Sequence, residues 1–312
     1  MLSKEMFEKT RSWMYRNARP LDLARWQYHF EGGSRDRVLE ALSAYQNADG
    51  GFGHALEPDS WNPNSSPIQT WAATEILREI SFTDRDHPII KGILLYLGSG
   101  ADFDGQVWNC VVKSNNEYPH APWWHADKNG SQHDKYNPTA CLAGFVLYFS
   151  DPDSDLHIKC KRISSVLAES YVNGELLDDM HAVSCLIRLM EYSYDSGITS
   201  LFYSHILRHK LIKQVKALIT TDTDLWKTSY VCKPSQFINS RDSIFYPDNK
   251  DIAEQEADFI ISSISPEGIW DVTWSWSDYP DAWAISRNWW KGHIAVNNML
   301  YLKNFGRLAD IV

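Results

Sequence analysis

Gln46-Asn47-Ala48-Asp49-Gly50-Gly51-Phe52-Gly53-His54-Ala55-Leu56-Glu57-Pro58-Asp59 lies between two segments of helical apolar spacing and ends on carboxylates. It therefore predicts a tight turn joining two helices. Glycines at 50, 51 and 53 allow positive φ at little cost. Asp49 is placed to close the turn by accepting amide hydrogen bonds, and Phe52 to drop its ring onto the neighbouring helix ends.

The same residues carry a family resemblance. Gln46, Asp49, Gly50, Gly51, Phe52 and Gly53 resemble the Q-x-x-D-G-G-[WF]-G repeat of the terpenoid cyclase and prenyltransferase superfamily. The resemblance implies an all-α fold, an α/α toroid of about six helical hairpins. In that family the repeat is a brace, with Gln and Asp pinning helix ends and the ring stacking between layers. It informs the fold more than the chemistry.

The chain has 312 residues and a formal charge of −10, with a sequence pI near 5.5. That charge disfavours nucleic acid and anionic membrane surfaces as partners. Residues 1–9 carry acids where a signal peptide needs an apolar core, and no run reaches the length of a membrane span. Five cysteines, at 110, 141, 160, 185 and 232, form no C-x-x-C pair. This predicts free thiols in a reducing compartment, and a cytoplasmic address. Fourteen tryptophans are more than a core alone calls for, and ring-walled pockets suit sugar faces, cationic intermediates or polyprenyl chains.

Taken in order, Lys4 to Glu31 predicts two helices interrupted at Pro20, and Asp36 to Tyr45 a third. Ser65 or Ser66 caps a helix opened by Pro67. The helix–turn–helix unit then returns in weaker form, marked by Asp104, Asn173, Asp224 and Glu267. Recurrence of a helix pair at roughly 40 to 70 residues is the pattern of a helical array or ring. With the N-terminal pair as a sixth hairpin, the expectation is one domain over residues 1–312. Two long insertions interrupt it, at about 109–137 and 270–290, and such loops are often functional.

Carboxylates near the turns are Glu57, Asp59, Asp178, Asp179, Asp271, Asp278 and Asp281. Paired acids can divide general acid and base roles, whereas single ones cap helix N-termini. The D-x-D-D motif of class II terpenoid cyclases is not met, since its window here is Leu176-Leu177-Asp178-Asp179 with leucine in the first acidic position, and the magnesium motifs D-D-x-x-D and D-D-x-x-E are not met after Asp179. His120, His125, Asp127, His133 and Asp134 hold donors enough for a divalent metal, but their spacing fits no defined site. No cofactor is required by any motif, and nucleophile elbows, phosphate loops and nicotinamide fingerprints are absent.

The resemblance implies an aromatic-lined cavity that binds an isoprenoid or other apolar small-molecule substrate, with carboxylate acid catalysis. Asp178, Asp179, Glu57 and Asp59 are the candidate catalytic residues. His120, Trp123, Trp124, His125, Trp274, Trp276 and Asp281 are the candidate substrate-binding residues. Two alternatives stand beside it. One is a glycan-active enzyme of hydrolase or lyase type, since helical toroids also host these and pair carboxylates with stacked rings. The other is a non-catalytic binding protein on the same fold.

Overall fold

A computed structural model describes residues 1–127, 135–198 and 204–309. The described residues are all-α, with isolated bridges in place of strands. None of their helices is long and apolar enough to cross a membrane.

Local sequence accounts for most helix ends. α1 (Lys4–Asn17) starts under Ser3, whose hydroxyl accepts the Met6 amide. α2 (Pro20–Phe30) starts with Pro20 at its first turn, where the missing N–H costs nothing. α3 (Arg35–Ser43) is capped by Ser34, which the sequence reading did not single out; α4 (Pro67–Glu79) is capped by Ser66 ahead of Pro67, one of the two serines it offered. Next come α5 (Pro88–Ser99), α6 (Thr139–Phe149), α7 (Asp155–Asn173), α8 (Met180–Asp195) and α9 (Ser204–Leu218). α10 (Leu225–Thr228) is a single turn, so the fourth repeat has almost no second helix. After α11 (Lys250–Ser263), α12 (Pro280–Asn304) begins nine residues before the expected Trp289. Pro280 opens it, and half of the expected second insertion is therefore helical.

The chain divides into two compact units, residues 45–215 and residues 1–44 with 216–312. In the first, α6 is apolar on all sides and nearly every residue is buried, because it packs on α4, α7 and α8 at once. Arg188 on α8 joins both Glu75 oxygens (3.1 and 2.8 Å) and Glu191 (2.8 Å), and Cys141 on α6 donates to Glu75. Burial pushes the Cys141 thiol well up, so it is an inert strut and not a nucleophile.

The two best-formed turns of this unit repeat one device. In the first, Asp49 Oδ1 accepts from the Gly51 amide (3.0 Å) and the Ser65 hydroxyl (2.6 Å). Gln46 Nε2 donates to Gly50 O and, 43 residues away, to Ile89 O in the first turn of α5. Phe52 is fully buried, and its N–H donates to Thr70 Oγ1 on α4 (3.1 Å). In the second, Asp104 Oδ1 accepts from Gln106 and Val107, and buried Trp108 donates its N–H to Thr139 Oγ1 at the start of α6 (2.9 Å). The acid closes the turn and the aromatic backbone is tied to the following helix.

In the other unit α12 packs on α2, α1 on both, and α11 on α12. The Glu267-Gly268 turn presses on α1, where Thr10 Oγ1 donates to Gly268 O (2.7 Å). Gly268 has φ +80° and lies so close to Lys9 that a Cβ would sit 2.6 Å from that side chain. Glu256 on α11 is buried, accepting Ser235 N and Oγ at 2.6 Å each. Burial pushes this carboxyl up to about 6, against the pull of the Ser235 bonds and Lys233. A raised folded-state value gives stability that is full below the unfolded value near 4.5 and is lost as pH rises through about 6. The expected loss is about 2 kcal/mol, read as a slope in denaturant-unfolding free energy between pH 4.5 and 6.5. Glu256→Gln should flatten that slope.

Candidate functional site

The loop that follows the first turn is strained. His54 and Ala55 take φ of 60° and 57° in succession, a region non-glycine residues rarely occupy. Hydrogen bonds hold it there. His54 N donates to Asn62 O (2.9 Å), and His54 Nε2 lies 2.9 Å from Asn47 Oδ1. Leu56 N donates to Gln69 Oε1 (2.8 Å), while Gln69 Nε2 donates to Asn62 O and Ser60 O (3.0 and 3.3 Å). Gln69, on the first turn of α4, thereby clamps the loop from inside.

The strain delivers two acids into the interior. Glu57 and Asp59 are both buried, Asp59 to 2% exposure, and the Asp59 amide donates to Glu57 Oε2 (2.9 Å). Around them the first insertion is laced to the loop. Trp61 N donates to Pro119 O and Ala121 N to Asp59 O, flanking a bridge between Ser60 and His120. Asn62 Nδ2 reaches Ser114 Oγ and Asn115 Oδ1 (2.8 and 2.9 Å), and Asn115 Nδ2 donates to Trp124 O (3.0 Å). The Trp124 indole N–H is buried with no partner among the described residues. His120 is buried, with Nδ1 2.6 Å from Tyr118 O and Nε2 3.0 Å from His125 Nδ1.

Of the residues predicted from sequence, Glu57 and Asp59 therefore lie on a loop bonded to the segment that carries His120, Trp124 and His125. Trp123 adjoins it on an exposed turn, Pro122–Trp124. Asp179 is the N-cap of α8, accepting the His181 amide (2.7 Å), and Asp178 beside it is exposed. In the other unit Asp281 stands exposed in the first turn of α12, where an acid suits the helix dipole. Trp274 there packs edge-on to Trp290 and Tyr230, both at 5.3 Å, and Trp276 lies against Trp283 at 5.6 Å. Among the described residues no group of three His, Cys, Asp or Glu side chains is placed to hold a metal ion. His133 and Asp134 lie outside the described residues.

Sequence reasoning passed over Ser60, Asn62, Gln69 and Asn115, the polar frame of the cluster. The available signal was Gln69 on the apolar face of α4, between Ile68 and Ala73. It also passed over a buried ion cluster in the other unit. Asp22 accepts from Arg19 Nε (2.8 Å) and Arg25 Nη1 (2.9 Å), and Arg25 further contacts His293 and Asn297 at 3.0 Å. Comparison with protein-family models, with curated proteins and with solved structures gives no match to this chain.

Proposed function

We propose that the chain is an enzyme acting on a small polyhydroxylated substrate, a glycoside or oligosaccharide, at the Glu57–Asp59 loop. One observation carries this reading: Glu57 and Asp59 are buried carboxylates on a loop whose buried polar residues Ser60 and Asn62 are hydrogen-bonded to Gln69 on α4 and to Asn115 of the insertion that carries His120 and Trp124. Sugar recognition needs many fixed donors and acceptors beside a ring face, whereas an isoprenoid pocket is mostly dry. In this reading Glu57 and Asp59 supply carboxylate acid catalysis, Trp123 and Trp124 the stacking wall. The absence of any C-x-x-C pair and the acidic charge support a cytoplasmic small-molecule enzyme.

The α/α toroid belongs to the same proposal. Even-numbered helices pack on one another in each unit, α4 on α6 and α6 on α8, and α12 on α2. A ring built from an inner layer of alternate helices would have these neighbours.

A terpenoid cyclase or prenyltransferase-like activity on an isoprenoid is the second reading, favoured by the Tyr230–Trp274–Trp290 and Trp276–Trp283 ring groups. Asp178 and Asp179 would then be the proton donors, and the rings would stabilise developing positive charge.

A screen of nitrophenyl glycosides and oligosaccharides, run beside isoprenoid diphosphates and polyenes, separates the two. Glycosidic turnover that falls at least about 100-fold in Glu57→Gln and in Asp59→Asn, with folding intact, is the expected result. Turnover of an isoprenoid that is lost in the Asp178→Ala, Asp179→Ala double variant would replace it. No turnover of either class, with ligand binding retained, would leave a binding protein.

A further inference from the structure

Tyr118 O can only accept a hydrogen bond, so its 2.6 Å contact puts a proton on His120 Nδ1. In the neutral ring His120 Nε2 is then an acceptor. The 3.0 Å contact with His125 Nδ1 makes His125 the donor, and its own Nε2 keeps a lone pair. The ring planes differ by 18° with centroids 5.3 Å apart, which at an N···N separation of 3.0 Å places the rings edge to edge in nearly one plane. The bond between them is therefore in line.

His125 is exposed, yet it is not left to choose its rotamer or tautomer. His120 anchors one side of the ring. Asn116 Nδ2 lies 3.5 Å from its Nε2, and Asn116 is itself held by exchanging two 2.8 Å bonds with the Ala126 backbone. A free imidazole favours the proton on Nε2. Fixing the opposite form, with Nε2 unprotonated and able to accept, is how proteins orient an imidazole that accepts a proton or binds a ligand.

We propose that His125 is a catalytic residue of the candidate site, with Nε2 taking the proton of a substrate hydroxyl or attacking water, and that His120 is its positioning residue. The proton forms an imidazolium at His125 while Nδ1–H stays bonded to His120; the acid of the Glu57–Asp59 pair gives its own proton to the departing oxygen, and after release His125 returns its proton to solvent water and the carboxylate takes one back. This rests on the reading of the Glu57–Asp59 cluster as a substrate site.

Long-range proton–nitrogen spectra of 15N-labelled protein at pH 8.5 read the tautomers without any substrate. Both His120 and His125 should carry the proton on Nδ1, and His120→Gln should return His125 to the Nε2–H form. Diethyl pyrocarbonate, mapped by mass spectrometry, should modify His125 at least tenfold faster than His54, which is also exposed but has Nε2 against Asn47. If His120→Gln fails to fold, the wild-type spectrum still decides, because it reads both tautomers without a variant. A wild-type His125 with Nε2–H, or modified no faster than His54, overturns the proposal. On a glycoside that is turned over, His125→Ala should lower kcat at least about 100-fold with KM little changed. A screen without any turnover would sink the catalytic role through the site reading, while the tautomer result would stand.

Discussion

Asp22→Asn is expected to cost about 3 to 5 kcal/mol of stability, measured by urea unfolding at pH 7, among the largest effects of any single substitution in this chain. Asp22 has no exposed surface, and its partners Arg19 and Arg25 are nearly as deep. Burial alone would push its carboxyl up. The two guanidinium groups overcome that and hold it below the usual carboxylate range. Asparagine keeps the shape but removes the charge that both arginines share, inside a region where uncompensated charge is expensive. The pH dependence has a definite sign. A lowered folded-state value gives stability present above the unfolded value near 3.8 and lost as pH falls through the folded one. Wild type should therefore lose this contribution in strong acid, and Asp22→Asn should show no such loss. A cost under about 1 kcal/mol would mean that the cluster is solvated, contrary to its burial.

Gly50→Ala is the second. Gly50 has φ +89°, and a Cβ there would lie 2.1 Å from Gly92 O and 2.5 Å from Gly92 C. Both atoms are backbone of α5, so nothing flexible can move aside. Strain at positive φ accounts for about 1 to 2 kcal/mol, and the clash adds the cost of parting the turn from α5. We expect at least about 3 kcal/mol in total, or failure to fold. Gly100→Ala is the internal control. Its φ is similar at +79°, but nothing lies within 4 Å of the added Cβ. It should cost only about 1 kcal/mol. Equal losses at the two positions would show that backbone conformation alone, without the close approach to α5, sets the demand for glycine.

The brace is therefore where sequence and structure agree most closely. Asp49, Gly50 and Phe52 do what their chemistry requires locally, and Ser66-Pro67 starts α4 where a cap and a first-turn proline must. The shortfall came where long-range contacts decide. Trp289 and Trp290 look alike as the start of a helix or as points along one, and Pro280 settled the matter nine residues earlier. Asp224-Leu225-Trp226 carries the marks of a repeat, yet only one helical turn follows it.

The candidate site divides in the same way. Its acids and rings were legible because few residue types carry that chemistry, and their place after a glycine turn was visible in the chain. Asp179 shows the limit, since a cap and a cavity acid have the same local sequence, and its side chain caps α8. The amino-acid sequence by itself determined an all-α chain, its turn chemistry and most helix starts, because these depend on neighbours within a few residues. Only the tertiary structure decided that Gln69 clamps the strained loop, that Asn62 and Asn115 tie that loop to the first insertion, and that Tyr118 sets the protons on a pair of histidines. Those depend on which distant groups share a dry space, and burial turns ordinary polar side chains into partners that must be satisfied.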